Sequence, residues 1–117
     1  MPTVAEAVDR YAQLLGSGSA EQIAALYTPD ATVEDPVGNG VRHGHDEIRQ
    51  LYRRVEKQTR TVELLSVHIN GNEAAFLARL TIITGDTQTR IDGIDVMTFD
   101  DAGRITSMRA FWSAPGL

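Results

Sequence analysis

The 117-residue sequence predicts an α+β fold, because apolar residues recur at helical spacing up to about residue 57 and in strand-like runs from Thr61 onward. Short Asn-, Asp- and Gly-rich segments separate those runs, so the strands read as an antiparallel meander. Three helices followed by such a meander bury their apolar stripes by packing on the concave side of a curved, mainly antiparallel sheet.

The first helix is expected over about 3 to 16. Thr3 followed three residues later by Glu6 is a capping-box signal, and Val4, Val8, Tyr11 and Leu15 then share one face until Gly16. Ser19 with Gln22 repeats the capping signal, and Ile23, Leu26 and Tyr27 share the apolar face of a short second helix that Pro29 ends. Ala31 to Asp35 reads as a brief strand closed by Pro36, followed by a Gly38-Asn39-Gly40 loop. Ile48, Leu51, Tyr52 and Val55 mark a third helix over about 45 to 57. Strands follow over about 61 to 69, 73 to 84, 87 to 99 and 104 to 112. Asn70-Gly71 carries a type I′ hairpin signal, and Gly85-Asp86 and Asp100 to Gly103 supply the later turns.

Alternation along these strands makes the sheet apolar on both sides. Phe76, Ala78, Leu80 and Ile82 lie on one face and Ala75, Leu77 and Ile83 on the other, which Ile94 and Val96 extend. Such a sheet needs two covers. Helices supply one, and a second subunit is the expected other, which makes the protein a homodimer.

Composition narrows the function classes. A net charge of -5 argues against nucleic acid as a partner, and the basic group Arg49, Arg53, Arg54, Lys57 and Arg60 reads as a solvated face. No apolar run spans a bilayer and the first residues lack a signal-peptide pattern, so the expectation is a protein starting near Met1, without membrane association. Zero cysteines exclude disulfides, thiolate ligands and cysteine nucleophiles, and are compatible with a cytoplasmic location. Nucleophile-elbow and phosphate-loop motifs are absent, and Gly16-Ser17-Gly18-Ser19 follows a helix rather than a strand, unlike a dinucleotide loop. His43, His45 and His68 have no carboxylate arrangement that would make a metal site.

Asp95 is the sharpest candidate for chemistry. Alternation places its carboxyl on the face of Ile91, Met97 and Phe99, where desolvation would keep it protonated near neutral pH and able to donate to an oxyanion. The alternative is a twist or bulge that turns it to solvent, or an arginine partner. The three tyrosines, Tyr11, Tyr27 and Tyr52, each fall on the apolar face of a different expected helix, so three phenols enter one small core. They either join in one hydrogen-bonded network or each bond a nearby backbone carbonyl. Asp35, beside Val33 in alternation, is either a second reactive carboxyl or an ordinary strand-end aspartate.

The block Leu26 to Gly38, with Ile94 to Phe99, Gly103-Arg104-Ile105 and Met108 to Trp112, resembles bacterial ketosteroid isomerase, a family of the nuclear-transport-factor-2-like superfamily. The resemblance covers nearly the whole chain and weakens over 73–84 and in the short tail 113–117. It implies one domain over 1–117, a conical α+β barrel with a deep apolar pocket and dimerisation through the sheet. Carried over by matching motif, Asp35 would be the general base, and Tyr11 and Asp95 the oxyanion donors. Tyr52 and Tyr27 would continue a hydrogen-bond chain behind Tyr11, and Met108 and Trp112 would line the steroid site. The resemblance implies that Asp95 is a carboxylic acid kept neutral by its apolar surroundings. The implied reaction moves the double bond of a 3-oxo-Δ5-steroid into conjugation without metal, flavin or nicotinamide. A polyketide cyclase or dehydratase, or a non-enzymatic ligand-binding dimer, would use the same fold.

Overall fold

The computed structural model describes residues 2–113; Met1 and tail residues 114–117 lie outside them. Helix α1 (Val4–Ser17) begins with the expected capping box, in which Thr3 and Glu6 exchange side-chain and backbone hydrogen bonds. Ser19 and Gln22 do the same for α2 (Ala20–Ala24), and α3 (Gly44–Glu56) starts at His43, which makes no side-chain cap.

Six strands, β1 (Tyr27–Glu34), β2 (Val41–His43), β3 (Thr59–Asn70), β4 (Glu73–Thr84), β5 (Thr87–Phe99) and β6 (Ile105–Phe111), form one sheet in the order β2-β1-β6-β5-β4-β3. All neighbours are antiparallel except β1 and β6. The helices pack on one sheet face over a core that includes Val8, Ile23, Val33, Ile48, Phe76, Met97, Phe99 and Ile105, each at most 2% exposed. Burying such side chains contributes about 1.5–3 kcal/mol each.

Three expectations are corrected. Tyr27 lies on a strand, because α2 stops at Ala24 and the chain turns through Ala25 and Leu26 to pair with β6: Leu26 O accepts from Ile105 N at 2.9 Å, and Tyr27 stands opposite Ile105. Pro29 therefore sits inside β1, at the irregular stretch between Tyr27 and Thr32, where a residue lacking an N–H is tolerated. The β3–β4 loop is Gly71-Asn72, closed by the Asn70–Glu73 pair, and only Gly71 has positive φ (58°). That is the φ pattern of a type II′ turn rather than I′, and Gly85-Asp86 repeats it. Finally, Arg60 is only half-solvated and has a structural role. Its guanidinium donates to Leu15 O at 2.6 Å and Gly18 O at 2.8 Å and so ties the end of α1 to β3.

The two-faced sheet is as expected. Leu77, Ile94 and Phe111 are register partners across β4, β5 and β6 on the face away from the helices. Ile94 and Phe111 remain 48% and 43% exposed there.

Candidate active site

Between α1, α3 and the inner sheet face lies a cavity of about 180 Å³. Leu15, Leu51, Val55, Val62, Leu80 and Ile91 form apolar walls, Ala78, Gly93 and Ala110 leave the sheet side open, and Tyr11, Asp35, Asp95 and Trp112 supply the polar atoms. All three proposed reactive groups thus enter one space although they come from α1, the end of β1 and the middle of β5.

Asp95 points inward because the ladder sets it opposite Phe76 on β4 and Ala110 on β6, both buried core residues. No arginine pairs with it and nothing hydrogen-bonds its carboxylate among the described residues. Burial, reinforced by the charge of Asp35, raises its pKa to about 7. The carboxyl therefore holds its proton on the order of a thousand-fold better than an ordinary aspartate, at about tenfold per unit.

Asp35 follows β1 directly. Glu34 pairs with Arg109 on β6, and beyond the cis Asp35–Pro36 peptide Val37 N donates to Ala110 O at 2.8 Å, so both flanks of Asp35 are fastened to β6. Burial raises its pKa as well, but two groups favour its anion: Trp112 Nε1 donates to Oδ1 at 2.6 Å, and the Arg42 cation on β2 lies close enough to be felt. The two aspartates share a cavity yet differ in partners, with support for the carboxylate only at Asp35.

The phenols form a chain. Tyr11 and Tyr52 hydroxyls are 3.1 Å apart and Tyr52 and Tyr27 hydroxyls 2.7 Å apart, so Tyr52 is the link. All three rings are at most 2% exposed, and burial is the main reason their pKa values stand well above the ordinary phenol value. They remain protonated, and among them Tyr11 alone lines the cavity. Its ring is held by Phe76 at 6.1 Å and edge-on by Tyr52 at 6.4 Å between centroids.

Met108 departs from its expected place. It shares a strand face with Ala110 and Trp112, but it lies between Val33 and Met97 at 1% exposure and backs the core instead of lining the cavity. Trp112 does line it, as expected, and its bond to Asp35 adds what alternation could not reveal. Arg42 escaped the sequence reading because β2 has only three residues, too few to show a period. His45 Nε2 lies 2.8 Å from Tyr27 O, and no cluster of three or more His, Asp or Glu placed for a metal occurs among the described residues.

A carboxylate able to accept a proton, facing a neutral acid and a phenol able to donate to an oxygen, is chemically equipped for proton transfer next to a carbonyl. Comparison with known proteins supplies the family. Residues 8–108 match the SnoaL-like domain. The chain is 49% identical over 113 residues to a protein of Nocardioides simplex named steroid Delta-isomerase, covering 97% of this chain and 91% of that one. Among solved structures it is similar to SalBIII, an epoxide hydrolase/cyclase-like enzyme with a role in pyran ring formation in the polyether salinomycin, with a TM-score of 0.87 and 28% identity over 94% of this chain and 90% of that one. By sequence and by fold, this chain belongs to the SnoaL-like domain family.

Proposed function

We propose that the protein isomerises 3-oxo-Δ5-steroids to their conjugated Δ4 isomers without a cofactor. The observation that carries this reading is the pair of aspartates in one apolar cavity, one with partners for its anion and one with none. The steroid Delta-isomerase named above, nearly half identical over almost the full length, supports the substrate class.

Asp35 takes a proton from the carbon between the ketone and the double bond. The C–H electron pair moves into the carbon framework and negative charge collects on the carbonyl oxygen, giving a dienolate. Tyr11 and Asp95 donate hydrogen bonds to that oxygen; removing one such donor typically costs ~10²- to 10³-fold in kcat. Asp35 then returns the proton at the far end of the conjugated system, so nothing is gained or lost overall. Tyr52 and Tyr27 fix the direction of the Tyr11 hydroxyl. Apolar walls exclude water, which strengthens every interaction with the developing charge.

Incubation with 5-androstene-3,17-dione, followed by conjugated-enone absorbance, tests this directly; no conversion by folded protein removes the isomerase reading. The likeness to SalBIII favours one second reading, cyclisation of a polyketide-type substrate by the same base and donors. Steroid binding without turnover is its expected signature. The outer row of Leu77, Ile94 and Phe111 supports a homodimer built through the sheet.

A further inference from the structure

We propose that Gly93 is a positioning residue for Asp35, because its missing side chain is what lets Trp112 lie across β5 and reach the carboxylate. This inference depends on the isomerase reading only for its catalytic consequence. Gly93 faces the cavity between Ile91 and Asp95 on the inner face of β5, opposite Ala78. The last β5–β6 register pair is Ile94 with Phe111, so Trp112 is the next residue along and falls beside Gly93. A Cβ built on Gly93 would stand 3.2 Å from Trp112 Cβ, 3.4 Å from Phe111 O and 3.8 Å from Trp112 Cδ1. Its backbone is not in the left-handed region that favours glycine, so the constraint here is space and not conformation.

Trp112 stands beyond the final ladder pair and is 38% exposed. It yields more readily than the strand when a methyl group is added at position 93. Among the described residues the indole carries the one hydrogen bond that a side chain gives to Asp35, at 2.6 Å, so a displacement of a few tenths of an ångström is read directly at the carboxylate. A larger side chain would also fill the cavity. Gly93 thereby couples the width of the site to the orientation of its carboxylate.

Trp112 is the only tryptophan in the sequence, which gives the inference a probe independent of turnover. Its indole N–H resonance, followed by ¹H–¹⁵N correlation spectra against pH, reports the Asp35 bond. The other groups bearing on Asp35 are Arg42, Asp95 and the hydroxyls of Tyr11, Tyr27 and Tyr52, so an Asp35→Asn control assigns the titration. In Gly93→Ala the resonance is expected to move upfield, toward a free indole, and its titration midpoint to rise because the carboxylate loses a donor. On the isomerase reading, kcat falls on the order of tenfold with KM less affected, as small misplacements of a reacting group do. The acidic limb of the pH profile moves up with it.

An unchanged indole resonance and midpoint in folded Gly93→Ala overturn the inference. Should that variant not fold, the parent decides: cross-relaxation between Gly93 Hα and the Trp112 Hβ and Hδ1 protons is expected, and its absence overturns the packing. A parent inactive on steroid ketones whose indole still responds to Gly93→Ala rejects the proposed function and leaves this inference standing.

Discussion

Asp95 makes a prediction that needs no substrate. Its pKa is raised to about 7 by burial and by the charge of Asp35, whereas an unfolded chain releases the same proton near about 3.9. Between those values the folded protein binds more protons than the unfolded chain, so stability from this group falls as pH rises and levels off above the folded pKa. A gap of about three units corresponds to roughly 4 kcal/mol in total, and roughly 2 kcal/mol of it is lost between about pH 5.5 and about pH 8.5. Asp95→Asn cannot ionise and escapes that loss. Its stability relative to the parent is therefore expected to rise by roughly 2 kcal/mol across that interval, on the order of a 1 M relative shift in urea midpoint. Urea melts of both proteins, at equal protein concentration and at both pH values, measure the difference; other carboxylates largely cancel. A parent-to-Asn difference that stays flat refutes the raised pKa and with it the neutral acid.

The remaining predictions concern the site and the sheet. Asp35→Asn is expected to reduce kcat at least 10²-fold while a phenol or steroid still binds, since the amide keeps the shape but cannot take the proton; near-parental kcat removes Asp35 as base. Tyr11→Phe is expected to cost ~10²- to 10³-fold in kcat and Tyr27→Phe much less, because only Tyr11 reaches the cavity. Equal damage at equal stability overturns that order. Asp95→Asn should retain more activity than Asp95→Leu, since an amide still donates and an alkyl group does not; if both match the parent, Asp95 is no oxyanion donor. Ile94→Lys, in the exposed outer row, is expected to convert dimer to monomer in light scattering, and a monomeric parent refutes the dimer.

Periodicity carried the helices and long strands, since each holds several turns or alternations of one pattern. Alternation also put Asp95 on the face of Met97 and Phe99, but it left a twist or bulge open, which the ladder partners Phe76 and Ala110 rule out. Periodicity failed at Tyr27, where an apolar residue fits a helix face and a strand equally well and only pairing with β6 decides. The tyrosine chain shows the same division. Inward phenols were legible, but the distances that make Tyr52 the link depend on how α1, α3 and β1 meet. Partners from distant segments, such as Trp112 and Arg42 around Asp35, leave no local signal at all.

Pairing of β1 with β6 in parallel also sets when the site comes into being. Asp35 and its tryptophan donor are 77 residues apart in the chain, whereas Asp95 and its flanking β4 partners come from a hairpin of near neighbours. During synthesis the hairpin can form while β1 still lacks its neighbour, because loop-closure cost delays contacts between distant segments. Both aspartates nevertheless wait for β6, which supplies Ala110 opposite Asp95 and precedes Trp112, the donor to Asp35. A chain that stops short of β6 lacks both the wall beside Asp95 and the donor to Asp35, so the last strand is the one that closes the cavity.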